Sequence, residues 1–146
     1  EAAITIRKAE AEDLDFIYHA VCTLENEVLD FEVFRELFHA NISSSAIIYL
    51  LAEIQNEGVG LVSFHIQKLL HHCGAVGEIQ ECFIYDGHRG RGIGRQLFEK
   101  IMDLARDNKL KSVEVATNRR RAENVLIYEN LGFSLTHHKF TIWNSH

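Results

Sequence analysis

At 146 residues and 47% apolar content, the chain is long enough for one domain with a sizeable core and too short for two comfortable ones. A formal charge of −6, with 25% charged residues, excludes the broad basic face that nucleic acid or an acidic membrane surface would require, so any anion site must be local. The three cysteines, Cys22, Cys73 and Cys82, form no C-x-x-C pair, and their odd number argues against a disulfide framework.

From the N-terminus, Ile4 and Ile6 alternate with Thr5 and Arg7 and predict a short strand. Leu14, Ile17, Tyr18 and Val21 then recur at helical spacing within residues 11–24. Phe34, Leu37, Phe38 and Ile42 form the stripe of a second helix over Phe31–Ile42, with Arg35 and His39 on adjoining positions. Residues 46–54 and 59–66, joined by Gln55-Asn56-Glu57-Gly58, read as an antiparallel hairpin. A fourth strand is expected over residues 78–85, running into a glycine-rich segment. From residue 92 to 108, Ile93, Leu97, Ile101, Leu104 and Ala105 mark a helix that opens directly out of the glycines. Residues 112–117 alternate Val113 and Val115 with polar neighbours as a fifth strand. A helix then runs to Asn130, Gly132 stops it, and residues 133–143 close the chain as a further strand.

No proline, repeat or low-complexity tract marks a linker, so a single domain over residues 1–146 is expected, of α+β (mixed α/β) class with helices on both faces of a sheet. No apolar run reaches the length of a membrane span, and the first residues lack the basic-then-apolar order of a secretion signal. The expectation is a cytoplasmic protein with neither nucleic acid nor membrane as partner; a homodimer is compatible with the sequence.

The strongest chemical signal is a strand, then Arg89-Gly90-Arg91-Gly92-Ile93-Gly94-Arg95, then a helix. Glycines let the backbone turn tightly and bring bare N–H groups up to an anion, and the helix N-terminus adds its partial positive charge. A dinucleotide G-x-G-x-x-G fails on spacing, and a Walker A loop fails for want of its Gly-Lys-Ser/Thr ending. The plain alternative for the glycines alone is a surface turn with solvated arginines.

Arg89-x-x-Gly92-x-Gly94 resembles the coenzyme A signature of the GCN5-related N-acetyltransferases (GNAT), in the place where that family puts it, between the fourth strand and the helix that follows. Ile127-Tyr128-Glu129-Asn130-Leu131-Gly132-Phe133 resembles the family's second hallmark, although Asn124 stands where a small residue is usual. The element order agrees, and the likeness covers essentially the whole chain. It implies a mostly antiparallel twisted sheet of about six or seven strands, splayed between the fourth and fifth, in the fold the resemblance carries. A closer likeness lies in His65-Ile66-Gln67, Leu70-His71-His72 and Gly77-Glu78-Ile79-Gln80-Glu81, with Phe34-Arg35 and Phe38-x-Ala40-Asn41, which resemble the aminoalkylphosphonate N-acetyltransferases. Lys68-Leu69 departs from that group's aromatic-His pair.

Acetyl transfer to an amine asks for removal of a proton from the amine, donors that polarise the thioester carbonyl, and an acid for the departing thiolate. The resemblance implies Glu78 as the carboxylate facing the amine; Glu81 is the second candidate, because a bulge would change which side chains face the cleft. It implies Tyr128 as proton donor to the thiolate, where the alternative is a core aromatic. The backbone of Cys82, Phe83 and Ile84 would pair with the pantetheine arm as a surrogate strand. Arg89, Gly90, Arg91, Gly92, Ile93, Gly94 and Arg95 would cradle the pyrophosphate of acetyl-CoA. Asn118 and Asn124 offer amides to the pantetheine or cap a helix. Arg119-Arg120-Arg121 would meet the 3′-phosphate or form a solvated turn.

Arg35, His39, His65, His71, His72 and Lys139 are candidates for an acceptor pocket that recognises an anion. Adjacent histidines on an extended segment point to opposite faces, so His71 and His72 make a poor joint ligand and no metal residue is assigned. The phosphonate-acetylating relatives imply a divalent cation as an additional ligand. The favoured acceptor is an aminoalkylphosphonate; a polyamine, an aminoglycoside, an amino sugar, or an inactive coenzyme A-binding regulator are the alternatives.

Overall fold

A computed structural model describes residues 3–117 and 122–144. In chain order it contains β1 (Ile4–Lys8), α1 (Leu14–Glu25), α2 (Phe31–Ile42), β2 (Ile47–Ile54), β3 (Glu57–Leu69), β4 (Gly74–Ile84), α3 (Ile93–Asp107), β5 (Val113–Val115) and α4 (Ala122–Asn130). These residues form two compact units, one ending at Val115 and one beginning at Ala116. No described helix is long and apolar enough to cross a membrane.

In the first unit the sheet order is β1-β2-β3-β4-β5; the first four strands pair antiparallel, and β5 joins β4 in parallel. The result is a mixed α+β fold with five strands among the described residues, not the six or seven expected. Residues 133–143 account for much of the difference. Leu135, Phe140, Ile142 and Trp143 are exposed there, and no strand is formed. Alternating apolar residues alone do not make a strand, because each backbone N–H and C=O also needs a ladder partner.

β3 lies at the centre of the sheet, and Val59, Gly60, Leu61, Val62, Ser63 and Phe64 are all buried, as expected for a strand covered on both faces. Gln55 and Asn56 close the β2–β3 hairpin with φ of 52° and 66°, the two left-handed residues that match the twist of a tight hairpin. One face packs on α1 and α2 through Ile17, Ala20, Phe38, Leu51, Leu61 and Phe83. Tyr18 locks the two helices together: its ring meets Phe31 and Phe34 edge-on, and its hydroxyl donates to the Leu29 carbonyl at 2.6 Å. The opposite face meets α3, whose Ile93, Leu97, Ile101 and Ala105 form a buried stripe at four-residue spacing. A methyl group added at Gly60 would lie 3.2 Å from Ile93, so α3 sits close on that side.

Arg7 ties β1 to the residues before α1 and to β2. Its guanidinium donates twice to Asp13, at 2.8 Å each, and to Glu53 at 3.0 and 3.1 Å. The Asp13 carboxyl is held below its ordinary value of 3.8, chiefly by the hydrogen bonds from Arg7, and Arg7 is raised in turn. A depressed carboxyl stabilises the fold above its unfolded pKa and loses that contribution as pH falls through 3.8 towards the lower folded value. Arg7→Met is expected to cost about 1–2 kcal/mol at neutral pH and to flatten this acid dependence, read as urea midpoints between pH 7 and pH 3.

Candidate functional site

The ladder between β3 and β4 changes register once. Val62 pairs with Cys82 and Phe64 with Ile79, so Gln80 and Glu81 together face Ser63 in a bulge. Strict alternation would send Glu78 and Glu81, three residues apart, to opposite faces. The extra residue restores Glu81 to the face shared by Ser63, Tyr49 and Phe83, while Glu78 stands opposite His65 on that same face. Ser63 is fully buried; its Oγ accepts from the Glu81 backbone N–H at 2.9 Å and donates to the Glu81 carboxylate.

Next to this pair, Tyr49 lies across from Ser63, and its hydroxyl accepts from Asn41 of α2 at 2.8 Å. Burial first, and the Glu81 charge as a lesser cause, push the Tyr49 phenol upward, so it stays protonated at neutral pH; the Asn41 hydrogen bond acts the other way. The Glu78 carboxylate accepts from the Gln80 amide at 3.1 Å, and β5 brings Glu114 beside it. Asn41, Tyr49 and Ser63 were not singled out from sequence. Ser63 did leave a signal there, as the single hydroxyl in the buried run from Val59 to Phe64.

The β4–β5 ladder covers only Gly77 to Ile79, and β4 continues to Ile84. Cys82, Phe83 and Ile84 therefore lie beyond the reach of β5 in the ladder. Beyond β4, a 3-10 turn over Asp86–His88 leads to Arg89 and the glycines. Gly92 caps α3 with φ of 80°, a conformation in which any side chain would be strained. The first helical hydrogen bond runs from Gln96 N–H to the Gly92 carbonyl, so the preceding N–H groups of Ile93, Gly94 and Arg95 point outward from the helix end. No acidic residue and no side-chain cap occupies that end, and open space surrounds Gly90 and Gly92. The Arg89 Nε lies 3.4 Å from Asp86, the Arg91 guanidinium 3.2 Å from His88 Nδ1, and Arg95 is exposed. An uncapped helix end, open glycines and a rim of three arginines fit a pyrophosphate.

In the second unit, Gly132 at φ of 103° ends α4, and the Phe133 N–H returns to the Tyr128 carbonyl at 3.0 Å. The two rings meet edge-on with centroids 5.8 Å apart. Asn124 donates to the Thr117 hydroxyl at 3.0 Å. Asn118 and Arg119, Arg120 and Arg121 lie outside the described residues.

The five acceptor candidates of the first unit are scattered. Arg35 pairs with Glu32 at 2.7 Å, and the His39 ring lies tilted beside Phe38 with centroids 6.0 Å apart. His71 and His72 sit at the β3–β4 tip with rings 4.4 Å apart, four ladder steps past Glu78, or roughly 13 Å along the strand. Lys139 is exposed in the C-terminal stretch. Of the five in the first unit, only His65 lies directly beside a candidate carboxylate. Among the described residues no group of three or more His, Cys, Asp or Glu is arranged to hold a metal ion.

Residues 12–133 match the acetyltransferase (GNAT) family. The chain is 36% identical to an aminoalkylphosphonate N-acetyltransferase of Salmonella typhimurium over 136 residues, covering 93% of this chain and 88% of that protein. It is 27% identical to a glucosamine 6-phosphate N-acetyltransferase of Candida albicans, covering 88% of each. Among solved structures, an aminoglycoside N-acetyltransferase in complex with CoA superposes with a TM-score of 0.87 at 14% identity, over 99% of this chain and 96% of that one.

Proposed function

The chain belongs to the acetyltransferase (GNAT) family and is an N-acetyltransferase, and from that premise we propose that residues 1–146 act as one domain that acetylates an aminoalkylphosphonate. The family match crosses both compact units, which supports treating them as one catalytic domain. The observation that carries the mechanism is the β4 bulge. It puts two carboxylates, Glu78 and Glu81, on one face of the strand whose far half runs on to the glycine loop.

Acetyl-CoA supplies the thioester acetyl group; α3's N-terminal N–H groups and the Arg89, Arg91 and Arg95 side chains hold its pyrophosphate. The backbone of Cys82, Phe83 and Ile84, unclaimed by β5, pairs with the pantetheine arm and polarises the carbonyl. Glu78 takes a proton from the ammonium, directly or through water, and the lone pair attacks the carbonyl carbon. Tyr128 returns a proton to the departing thiolate, a role supported by the motif around it. Asn124 adds an amide to the pantetheine side, as would Asn118.

Two relatives act on compounds whose names combine an amine with a phosphonate or phosphate. His65 beside Glu78 and the Tyr49 hydroxyl are the donors best placed to meet such an anion; Arg35, His39, His71, His72 and Lys139 are outer candidates. A divalent cation bridging the phosphonate is part of the same reading, as are a cytoplasmic location and a homodimer. The test is thiol release from acetyl-CoA with aminomethylphosphonate, 2-aminoethylphosphonate, spermidine, glucosamine 6-phosphate and an aminoglycoside, with and without divalent metal. The aminophosphonates are expected to give the highest kcat/KM. Preference for spermidine would overturn the acceptor, and silence with every amine would overturn the transfer reading.

A further inference from the structure

The Ser63 hydroxyl has one proton, and that proton is committed to Glu81. One of its two lone pairs is engaged by the Glu81 backbone N–H. Ser63 is completely buried, so nothing outside the protein can touch it. The serine therefore has a single job: it takes up the N–H that the bulge diverts from the ladder and turns the Glu81 carboxylate in one direction. Only one carboxylate oxygen is used; among the described residues the Glu81 Oε2 has no hydrogen-bond partner. An aimed, half-satisfied, partly exposed carboxylate on the helix-covered face is suited to receive a cation.

We propose that Glu81, aimed by Ser63 across the β4 bulge, is the binding group for the acceptor's ammonium, and that Ser63 is its positioning residue. The inference rests on the acetyl-transfer reading and divides labour within it. Glu81 holds the ammonium through its free oxygen, while Glu78, on the same face, removes the proton. Tyr49, held by Asn41 and kept protonated, presents its hydroxyl beside the ammonium site. Glu81 makes no bond to the acetyl group.

The test compares binding of 2-aminoethylphosphonate with that of ethylphosphonate, which lacks the amine, to the full chain loaded with CoA. Wild type should prefer the amine by about tenfold or more. Ser63→Ala and Glu81→Gln should each remove most of that preference while leaving CoA affinity unchanged, and Ser63→Thr, which keeps the hydroxyl, should restore part of it. In turnover, Ser63→Ala should raise KM for the amine about tenfold with little change in kcat. A mere packing role would lower Tm and leave the preference intact. Retained preference in both Ser63→Ala and Glu81→Gln, or a fall in kcat without a rise in KM, overturns the proposal. Wild type that binds both ligands equally also overturns it. Wild type that prefers the amine yet releases no thiol would instead overturn acetyl transfer and leave the ammonium site standing.

Discussion

Glu78→Gln should lower kcat by about 10²–10³-fold while the affinity for acetyl-CoA stays unchanged. Glutamine keeps the shape of the side chain and its contact with Gln80, so the loss reports the missing proton acceptor. The proposed coenzyme contacts lie elsewhere, on the far half of β4 and on the loop before α3. The contrast with Glu81→Gln gives the experiment its force: one variant is expected to lose kcat, the other to gain KM. Initial rates of thiol release with 2-aminoethylphosphonate, together with calorimetric titration of the coenzyme, separate the two. A Glu78→Gln enzyme with wild-type kcat would remove Glu78 from the chemistry and leave the base to be sought at Glu81.

Gly77→Ala is expected to destabilise the fold by about 3 kcal/mol, lowering Tm by about 10 °C. A methyl group there would sit 1.9 Å from the Phe64 Cζ and 2.6 Å from its Cε1. Phe64 is fully buried in the central strand, so its ring has nowhere to swing. Phe64→Leu in the same chain should recover part of the loss by vacating the ring position. Thermal unfolding of the two variants tests this, and an unchanged Tm for Gly77→Ala would show that the sheet can open at that point. Gly77 is also the neighbour of Glu78, so a displaced backbone should weaken turnover as well as stability.

Much of the architecture is visible in residue pattern alone. The α2 boundaries coincide with its apolar stripe, and α3 opens within the glycine loop, at Ile93 between Gly92 and Gly94. The misses have physical causes. β4 starts at Gly74 rather than at residue 78, because its first half, Gly-Ala-Val-Gly, carries no alternation; pairing with β3 makes it a strand. β3 likewise runs to Leu69, beyond the residue 66 that pattern suggested, since Lys68 pairs with Ala75 and Leu69 with Gly74. The final apolar stretch shows the converse, a pattern without a ladder. At the candidate site, Glu78, Glu81 and the glycine loop stand out by residue type and motif. Ser63, Tyr49 and Asn41 do not, because their roles come from cross-strand register and helix packing that no local window contains.

The bulge also divides β4 into two pieces that answer to different constraints. Before it, residues 74–79 are set by pairing with β3 and, from Gly77 on, with β5 as well; after it, residues 82–84 are set by β3 and by the helices beneath Phe83. The extra residue works like an expansion joint between them. Substitutions around Glu78 that suit a new amine need not disturb the stretch leading to the glycine loop. A lineage could thus exchange acceptors while keeping its acetyl donor, and the place to look for such drift is upstream of Cys82, on the face that Glu78 and Glu81 share.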